Sequence, residues 1–445
     1  MRDLRKKIYI ILVALIFVLC FPVIIVAQDS KAIEIYTASD LMKIGKNPNW
    51  PLDGYYLLMN DIVLETPKNA IFNFEVIAGS TDMPFTGIFD GNNKTIRNLV
   101  INTVDGIATL FGYIDDDKAI VKDLGLIDVD FTGSEVGGIV HTLRRGTIDN
   151  CYTTGKIVST KDAAGVVLRN GYGTVRHCYS YCAIEAIKDV GGIASMNAIG
   201  TIEKCYFRGE IRSKAAYTGG IVAWNYSLVE KSYFEGRMFS NNPEYYYSIY
   251  SDGTGGIVGN NVGIVRYCYT IGTISGDSNV GGIVGQNSGE VQECYSLGEL
   301  RVSHLYSAAG GIVGDNRMVV DKSVSLAPEI VFGRNFGGRV MGRSEGASLS
   351  GTVKLICLNC TNYAWDGMKI SFKDSPPPTY AYDEEIQING YDIGIKRIFD
   401  EDFYAELGWN FNGDDPIWEF SGEYKLPKLV GVGGQENLVT PSHLM

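Results

Sequence analysis

Proline is scarce in this chain, at 13 of 445 residues, so its 53 glycines do not make a proline-glycine low-complexity sequence. Histidine is scarcer still, with four. Basic residues are outnumbered, 39 Lys and Arg against 51 Asp and Glu, for a formal charge of −12. That balance argues against a nucleic-acid groove, which needs a basic stripe. Within the repeat described below, no amphipathic run of ten or more residues recurs, which excludes a helical array, and leucine-rich spacing is absent too. Hydrophobic residues are not lacking. They make up 45% of the chain, which excludes wholesale disorder. This length suits two or three ordinary domains or one repeat array.

The first 27 residues read as a targeting segment. Arg2, Arg5, Lys6 and Lys7 precede a nearly unbroken apolar run from Ile8 to Ala27. A basic flank followed by an apolar run is a secretory leader pattern. Pro22 and the Val26-Ala27-Gln28 end favour cleavage after Ala27. The run is also long enough, at about 20 residues, for an N-terminal membrane anchor. Both alternatives place the body outside the cytoplasm, secreted or on the cell surface.

A Gly-Gly-apolar-apolar unit recurs through the body, as in Gly137-Gly138-Ile139-Val140, Gly191-Gly192-Ile193-Ala194 and Gly281-Gly282-Ile283-Val284. The second glycines fall at 138, 165, 192, 220, 256, 282 and 311. The steps between them are 27, 27, 28, 36, 26 and 29 residues. A second column follows each unit, an apolar residue three positions before Cys-Tyr, as in Ile148…Cys151-Tyr152 and Val265…Cys268-Tyr269. A fixed period in the twenties marks a solenoid. Each period holds short Ile, Val, Thr and Tyr runs broken by Gly, Asn and Ser, which read as strands and turns. The fold class expected is therefore all-β. It is a parallel β-helix of about ten coils stacked ~4.8 Å apart, giving a rod of roughly 45–50 Å.

A spacing of three, rather than two, separates the apolar residue from the cysteine. Strict alternation would put them on opposite faces, so a bend is expected between them. Cys151, Cys178, Cys205, Cys268 and Cys294 then stack inward as free thiols, with Ser232 and Ser323 as small substitutes. Parallel Cβ vectors ~4.8 Å apart are poorly placed for disulfides. Cys357-Leu358-Asn359-Cys360 suits a local disulfide or buried thiols better than zinc, for want of a second pair. The paired glycines mark corners where a Cβ would clash.

The stretch Gly-Gly-Ile-Val-Gly-Gln-Asn-Ser-Gly-Glu-Val-Gln-Glu-Cys-Tyr-Ser-Leu-Gly at 281–298 resembles the GLUG motif of bacterial secreted and surface proteins. The resemblance covers about 137–325, with lead-in segments at Tyr55–Ile62 and Pro84–Leu99. It implies a β-helical stalk or an adhesin-like region. The motif carries no catalytic residues to transfer, and its occurrence in immunoglobulin A peptidase-related proteins implies no peptidase here. The expected organisation is a leader or anchor at 1–27, an N-terminal cap at 28–83, a GLUG-repeat β-helix at 84–345 and a closing segment at 346–445. Short helices are expected at Thr37–Lys46 and Phe399–Leu407. Arg339 after Gly337-Gly338 reads as a charge in the apolar column and so as the end of the array.

No chemistry stands out. His141, His177 and His304 fall in different columns, and no nucleophile-elbow motif is present. Asp149, Glu203, Glu230 and Glu290 face outward, but Arg176 and Arg266 interrupt their columns, which reads as a solvated charged face. Asp115–Asp117 and Asp414-Asp415 lack EF-hand spacing and read as turns. No metal, cofactor or catalytic residue is expected.

The functional hint is tyrosine. Tyr152, Tyr179, Tyr206, Tyr233, Tyr269 and Tyr295 are expected to line an exterior stripe. The 36-residue step carries an insertion with Tyr245, Tyr246, Tyr247 and Tyr250. Those four, with the flanking rungs Tyr233 and Tyr269, are the expected ligand contact. The function expected is a non-catalytic adhesion or binding module for a surface glycan or a host or extracellular protein. No nucleic acid is expected as partner, and a membrane only through an uncleaved N-terminal segment. A stalk presenting another subunit and a polysaccharide-active enzyme are the alternatives.

Overall fold

The computed structural model describes residues 31–65, 71–214, 217–241, 252–304, 307–332, 337–344, 360–372, 388–420 and 425–435. The expected leader lies outside them. From Ile33 onward the chain forms one compact unit, a stack of parallel strands with two short α-helices among the described residues.

One coil shows the plan. Val190–Gly191 leads into a sharp glycine corner, followed by Ala194–Asn197, a turn, Thr201–Glu203, a bend at Lys204, and the long strand Tyr206–Ser213. Each segment pairs in parallel with the same segment one coil away. The ladder through Ile33, Tyr56, Phe89, Val121, Ile148, Val175, Ile202, Val229, Val265, Val291 and Val320 runs unbroken. Its ten steps of ~4.8 Å span roughly 48 Å. The β-helix thus begins at Ile33, ahead of the expected boundary at 84.

The bend after that ladder is a single left-handed residue. Asn150, His177, Lys204, Lys231, Tyr267, Glu293 and Lys322 all have φ between 48° and 55°. This turn returns the cysteine to the interior and accounts for the spacing of three. The five column cysteines are free and fully buried. Each thiol donates to the carbonyl two residues back, Cys178 Sγ to Arg176 O at 3.1 Å for example. Ser232 Oγ donates to Glu230 O at 2.8 Å and Ser323 Oγ to Asp321 O at 3.0 Å. Serine replaces cysteine in this column because it keeps the same hydrogen bond. A sixth free thiol, Cys182, is buried in the long strand, and Cys360 is disulfide-bonded.

A second polar ladder runs inside the coil. Asn170, Asn197, Asn225, Asn261, Asn287 and Asn316 pass an Nδ2-to-Oδ1 hydrogen bond along the stack at 2.8–2.9 Å. Beside it, the Ile139, Val166, Ile193, Ile221, Ile257, Ile283, Ile312 column is fully buried, as expected.

Both ends differ from expectation. At the N-terminus α1 covers only Ala38–Leu41, set by a capping box between Thr37 and Asp40. Leu41 and Ile44 pack on the core. At the other end, Gly338 pairs with Gly310, so Arg339 falls in the glycine column and Val340, not Arg339, fills the apolar one. Arg339 is salt-bridged to Asp392 at 2.6 Å. The array does not stop there. Met341–Ser344, Tyr363–Trp365, Lys369–Phe372 and Tyr391–Ile393 continue the parallel pairing. Then α2, Glu401–Glu406, is capped by Asp400 and follows a 3₁₀ turn at Arg397–Phe399.

Candidate functional site

The tyrosine column stands outside the coil, as alternation requires, and its rings stack with centroids 4.7–5.0 Å apart and planes within 6°. Most of it is not an open stripe. Tyr233, Tyr269 and Tyr295 are 0% exposed and Tyr206 6%. The C-terminal segment lies over them. Tyr233 donates its hydroxyl to Gly433 O at 3.0 Å, Tyr269 to Gln435 Oε1 at 2.9 Å and Tyr295 to Pro427 O at 2.7 Å. Trp409 and Trp418 pack on Tyr295 and stack on each other at 4.6 Å. These residues form a second apolar core on the outside of the solenoid. Tyr233 and Tyr269 are therefore not ligand-facing rungs. A stacked aromatic column is a large apolar surface, and the chain's own end buries it. Tyr152 and Tyr179 remain half-exposed.

Tyr245, Tyr246, Tyr247 and Tyr250 lie outside the described residues. Asn241, at the stem of that insertion, borders a cleft of about 360 Å³ shared with Ile187, Arg212 and Phe239. Arg212 sits 5.0 Å from the Phe239 ring centroid.

Two of the outward acids are ion-paired along the stack, and Glu230 is buried rather than solvated. Arg176 holds Asp149 at 2.8 Å and Arg266 holds Glu230 at 2.7 Å. A different column of acids matters more. Glu135, Asp162 and Asp189 occupy one register on three successive coils, two residues before the corner position held by Gly137, Ala164 and Gly191, and Tyr217 follows them on the next coil. Across the corner runs a column of Thr142, Arg169, Met196, Trp224, Asn260, Gln286, Asp315 and Arg343.

These two outward columns converge. Arg169 bonds Glu135 at 2.7 Å and Asp162 at 3.2 Å. The Tyr217 and Trp224 rings sit 4.2 Å apart, at 62°. Outward side chains seven residues apart meet only if the corner between them is re-entrant. The glycine pair makes it so. A Cβ on Gly191 would lie 1.8 Å from Ala194 O across the fold, and one on Gly192 2.0 Å from Gly220 O on the next coil. The result is a furrow that is part-exposed at Arg169, Met196, Trp224 and Asn260 and closed over at Gln286, Asp315 and Arg343.

Charge in the furrow is graded. The Arg169 guanidinium holds Glu135 down to about 2. Burial, then the neighbouring Asp162, pushes Asp189 up to about 6, and burial raises Asp162 as well. His141 is buried between Glu135 at 3.0 Å and Thr142 at 2.9 Å, and desolvation lowers its pKa. Along the outer lip stand single exposed apolar residues, Tyr172 at 66%, Ile199 at 60% and Tyr226 at 46%, followed by Val262 and Met318. Trp224 stacks on Tyr226 at 5.8 Å, which joins furrow and lip. Among the described residues, no group of three or more His, Cys, Asp or Glu is placed to hold a metal.

No family model matches the chain. Over 134 residues it is 34% identical to Halomucin of Haloquadratum walsbyi, a match covering 29% of this chain and 1% of that protein's length. The fold is similar to that of a Bacteroides ovatus protein proposed to be an immunoglobulin A1 protease. The TM-score is 0.42 and the identity 17%, over 91% of this chain and 93% of the other.

Proposed function

We propose that this chain is an exported, non-catalytic surface or matrix protein whose β-helical rod binds a glycan or an extracellular protein along its furrow. One observation carries the reading. The apolar, cysteine, asparagine and tyrosine columns repeat nearly the same residue on every coil, as stacking demands, whereas the furrow column changes at every step from Arg169 through Met196, Trp224 and Asn260 to Gln286. A scaffold gains nothing from that variety, and recognition needs it. The stretch of similarity to a protein named as a mucin supports an extracellular setting. So do the leader-like residues 1–27 and the GLUG-like repeat at 137–325. The test is a glycan and matrix-protein array probed with the chain from Gln28 onward. Retention of a defined ligand class supports the reading, and an empty array overturns it in favour of a passive stalk.

A second reading, polysaccharide cleavage, has one specific observation in its favour. Glu135 and Asp189 share one column two coils apart, Glu135 held down to about 2 by Arg169 and Asp189 pushed up to about 6 by burial, and differently tuned neighbouring carboxyls are the usual equipment for cutting a glycosidic bond. Release of reducing ends by the parent, lost in Asp189→Asn, is its signature.

A further inference from the structure

Resting on the binding reading above, we propose that Tyr217, Trp224 and Tyr226, with Asp189 and Asn260 beside them, form a subsite for one unit of a neutral or amino-sugar chain that runs along the furrow. The three rings occupy one coil at the point where furrow and lip meet. Trp224 has Tyr217 edge-on at 4.2 Å and Tyr226 parallel at 5.8 Å. Trp224 and Tyr217 are half-exposed and Tyr226 is exposed, so one side of this group is covered by protein and the other is open. Aromatic faces of this kind stack on the apolar face of a sugar ring while their polar edges stay hydrogen-bonded.

The polar groups are already oriented. Asp189 accepts from the Tyr217 backbone N–H at 3.3 Å and has the Trp224 side chain beside it. Asn260 lies beside the Tyr217 side chain. A carboxylate has about four acceptor positions, so Asp189 keeps capacity for sugar hydroxyls or an ammonium group. The carboxylates Asp162 and Asp189 lie together here, and Lys188 on the same coil is exposed to solvent. Asp162 is ion-paired to Arg169, which leaves Asp189 as the carboxylate that a sugar carboxylate or sulfate would meet at this subsite, and that repulsion selects against acidic chains.

A peptide is the weaker fit. An extended peptide gains most of its affinity by adding a strand to free backbone groups. Here the coil backbone is already paired, with Ala198 N donating to Asn170 O, Tyr226 N to Asn197 O and Val262 N to Asn225 O, each at 2.8–2.9 Å. Recognition is left to side chains, and a stacking platform flanked by acceptors is saccharide chemistry.

The experiment is titration calorimetry of the chain from Gln28 onward with three probes: gluco- or xylo-oligosaccharides, chitosan oligosaccharides and polygalacturonate oligosaccharides. Parent, Trp224→Ala, Tyr226→Ala and Asp189→Asn are compared, with melting curves as a control. The expected result is binding of a neutral or amino-sugar probe, weakened about tenfold in both aromatic variants, the loss of one stacking contact. Tyr226 is exposed, so its variant decides the matter if Trp224→Ala fails to fold. Sugar binding unchanged in Tyr226→Ala and Trp224→Ala overturns the subsite and leaves the binding function standing. Binding of the acidic probe alone overturns it as well. If the chain binds neither these probes nor any member of the glycan and matrix-protein array, the function and the subsite fall together.

Discussion

The tyrosine face and the glycine corner are built on the same coils and have opposite characters. On the tyrosine face six successive coils contribute the same residue, the rings stack like coins, and the chain's own C-terminal segment closes over the last four. At the glycine corner the scaffold is nearly invariant, with Ala164 and Arg339 as exceptions, while the side chains it brings together differ from coil to coil. Repetition therefore marks what the rod needs to hold together, and variation on a repeated frame marks what it offers to others. A conspicuous aromatic column is an attractive binding surface in a sequence, yet stacking made it adhesive enough to be covered internally.

The largest effect expected is on the interior that both faces share. Ile193→Asp buries an unpaired carboxylate in a fully enclosed column, which costs several kcal/mol, of order 3–5. Neighbouring coils share the loss because each leans on the next. Thermal melting and hydrogen exchange should show the coils around 166–221 opening together. An unchanged melt would put that column in water.

Next comes the covered part of the tyrosine face. Tyr269→Ala removes a fully buried ring and its bond to Gln435, at a cost of about 3–4 kcal/mol. It should also expose Leu426–Gln435 to exchange. Tyr179→Ala, from the half-exposed end, should cost about 1–2 kcal/mol and leave that segment protected. Equal effects would mean the closing segment does not depend on the ladder.

A smaller effect of distinctive sign is expected in the furrow. Asp189 is raised to about 6 by burial and by Asp162, with Lys188 and the Tyr217 N–H partly offsetting. Its folded value lies above its unfolded one, so its contribution to stability is full below pH ~4 and lost as the pH rises through ~6. Asp189→Asn cannot ionise and escapes that loss. Relative to the parent it should gain on the order of 2 kcal/mol between pH 4 and pH 8, in denaturant melts. A constant difference across that range would show that Asp189 is solvated.

The cysteine column should give the smallest signal. Unfolding without reductant and alkylating should label all six described free thiols, and stability should not depend on reducing them. Consecutive disulfides along the column would contradict the parallel stacking.

Much of the fold is legible in the sequence because stacking forces like residues into register. The spacing from Val175 to Cys178 encodes the bend, and the exchange of Cys for Ser232 encodes the inward hydrogen bond. The asparagine ladder is equally legible, five residues after six of the seven second glycines, and is simply quieter than Gly-Gly. Arg339 misleads by one register position, which pattern alone cannot resolve at the edge of an array. The covering of Tyr233 is hidden because its partner Gly433 lies 200 residues away. The furrow acids are hidden for another reason. Glu135, Asp162 and Asp189 can be aligned by their distance from the glycines, but their meeting with Arg169 and Trp224 depends on the corner folding inward, a matter of backbone geometry that no residue count reports.

The most direct measurement sets the two faces against each other in one binding experiment. Parent, Tyr179→Ala and Trp224→Ala chains from Gln28 onward are titrated with the same neutral or amino-sugar ligand, after melts confirm that all three are folded. Recognition by the varied furrow predicts that Tyr179→Ala binds as the parent does and Trp224→Ala binds about tenfold more weakly. Loss of binding in Tyr179→Ala with Trp224→Ala unaffected would contradict it and return the site to the open end of the tyrosine ladder.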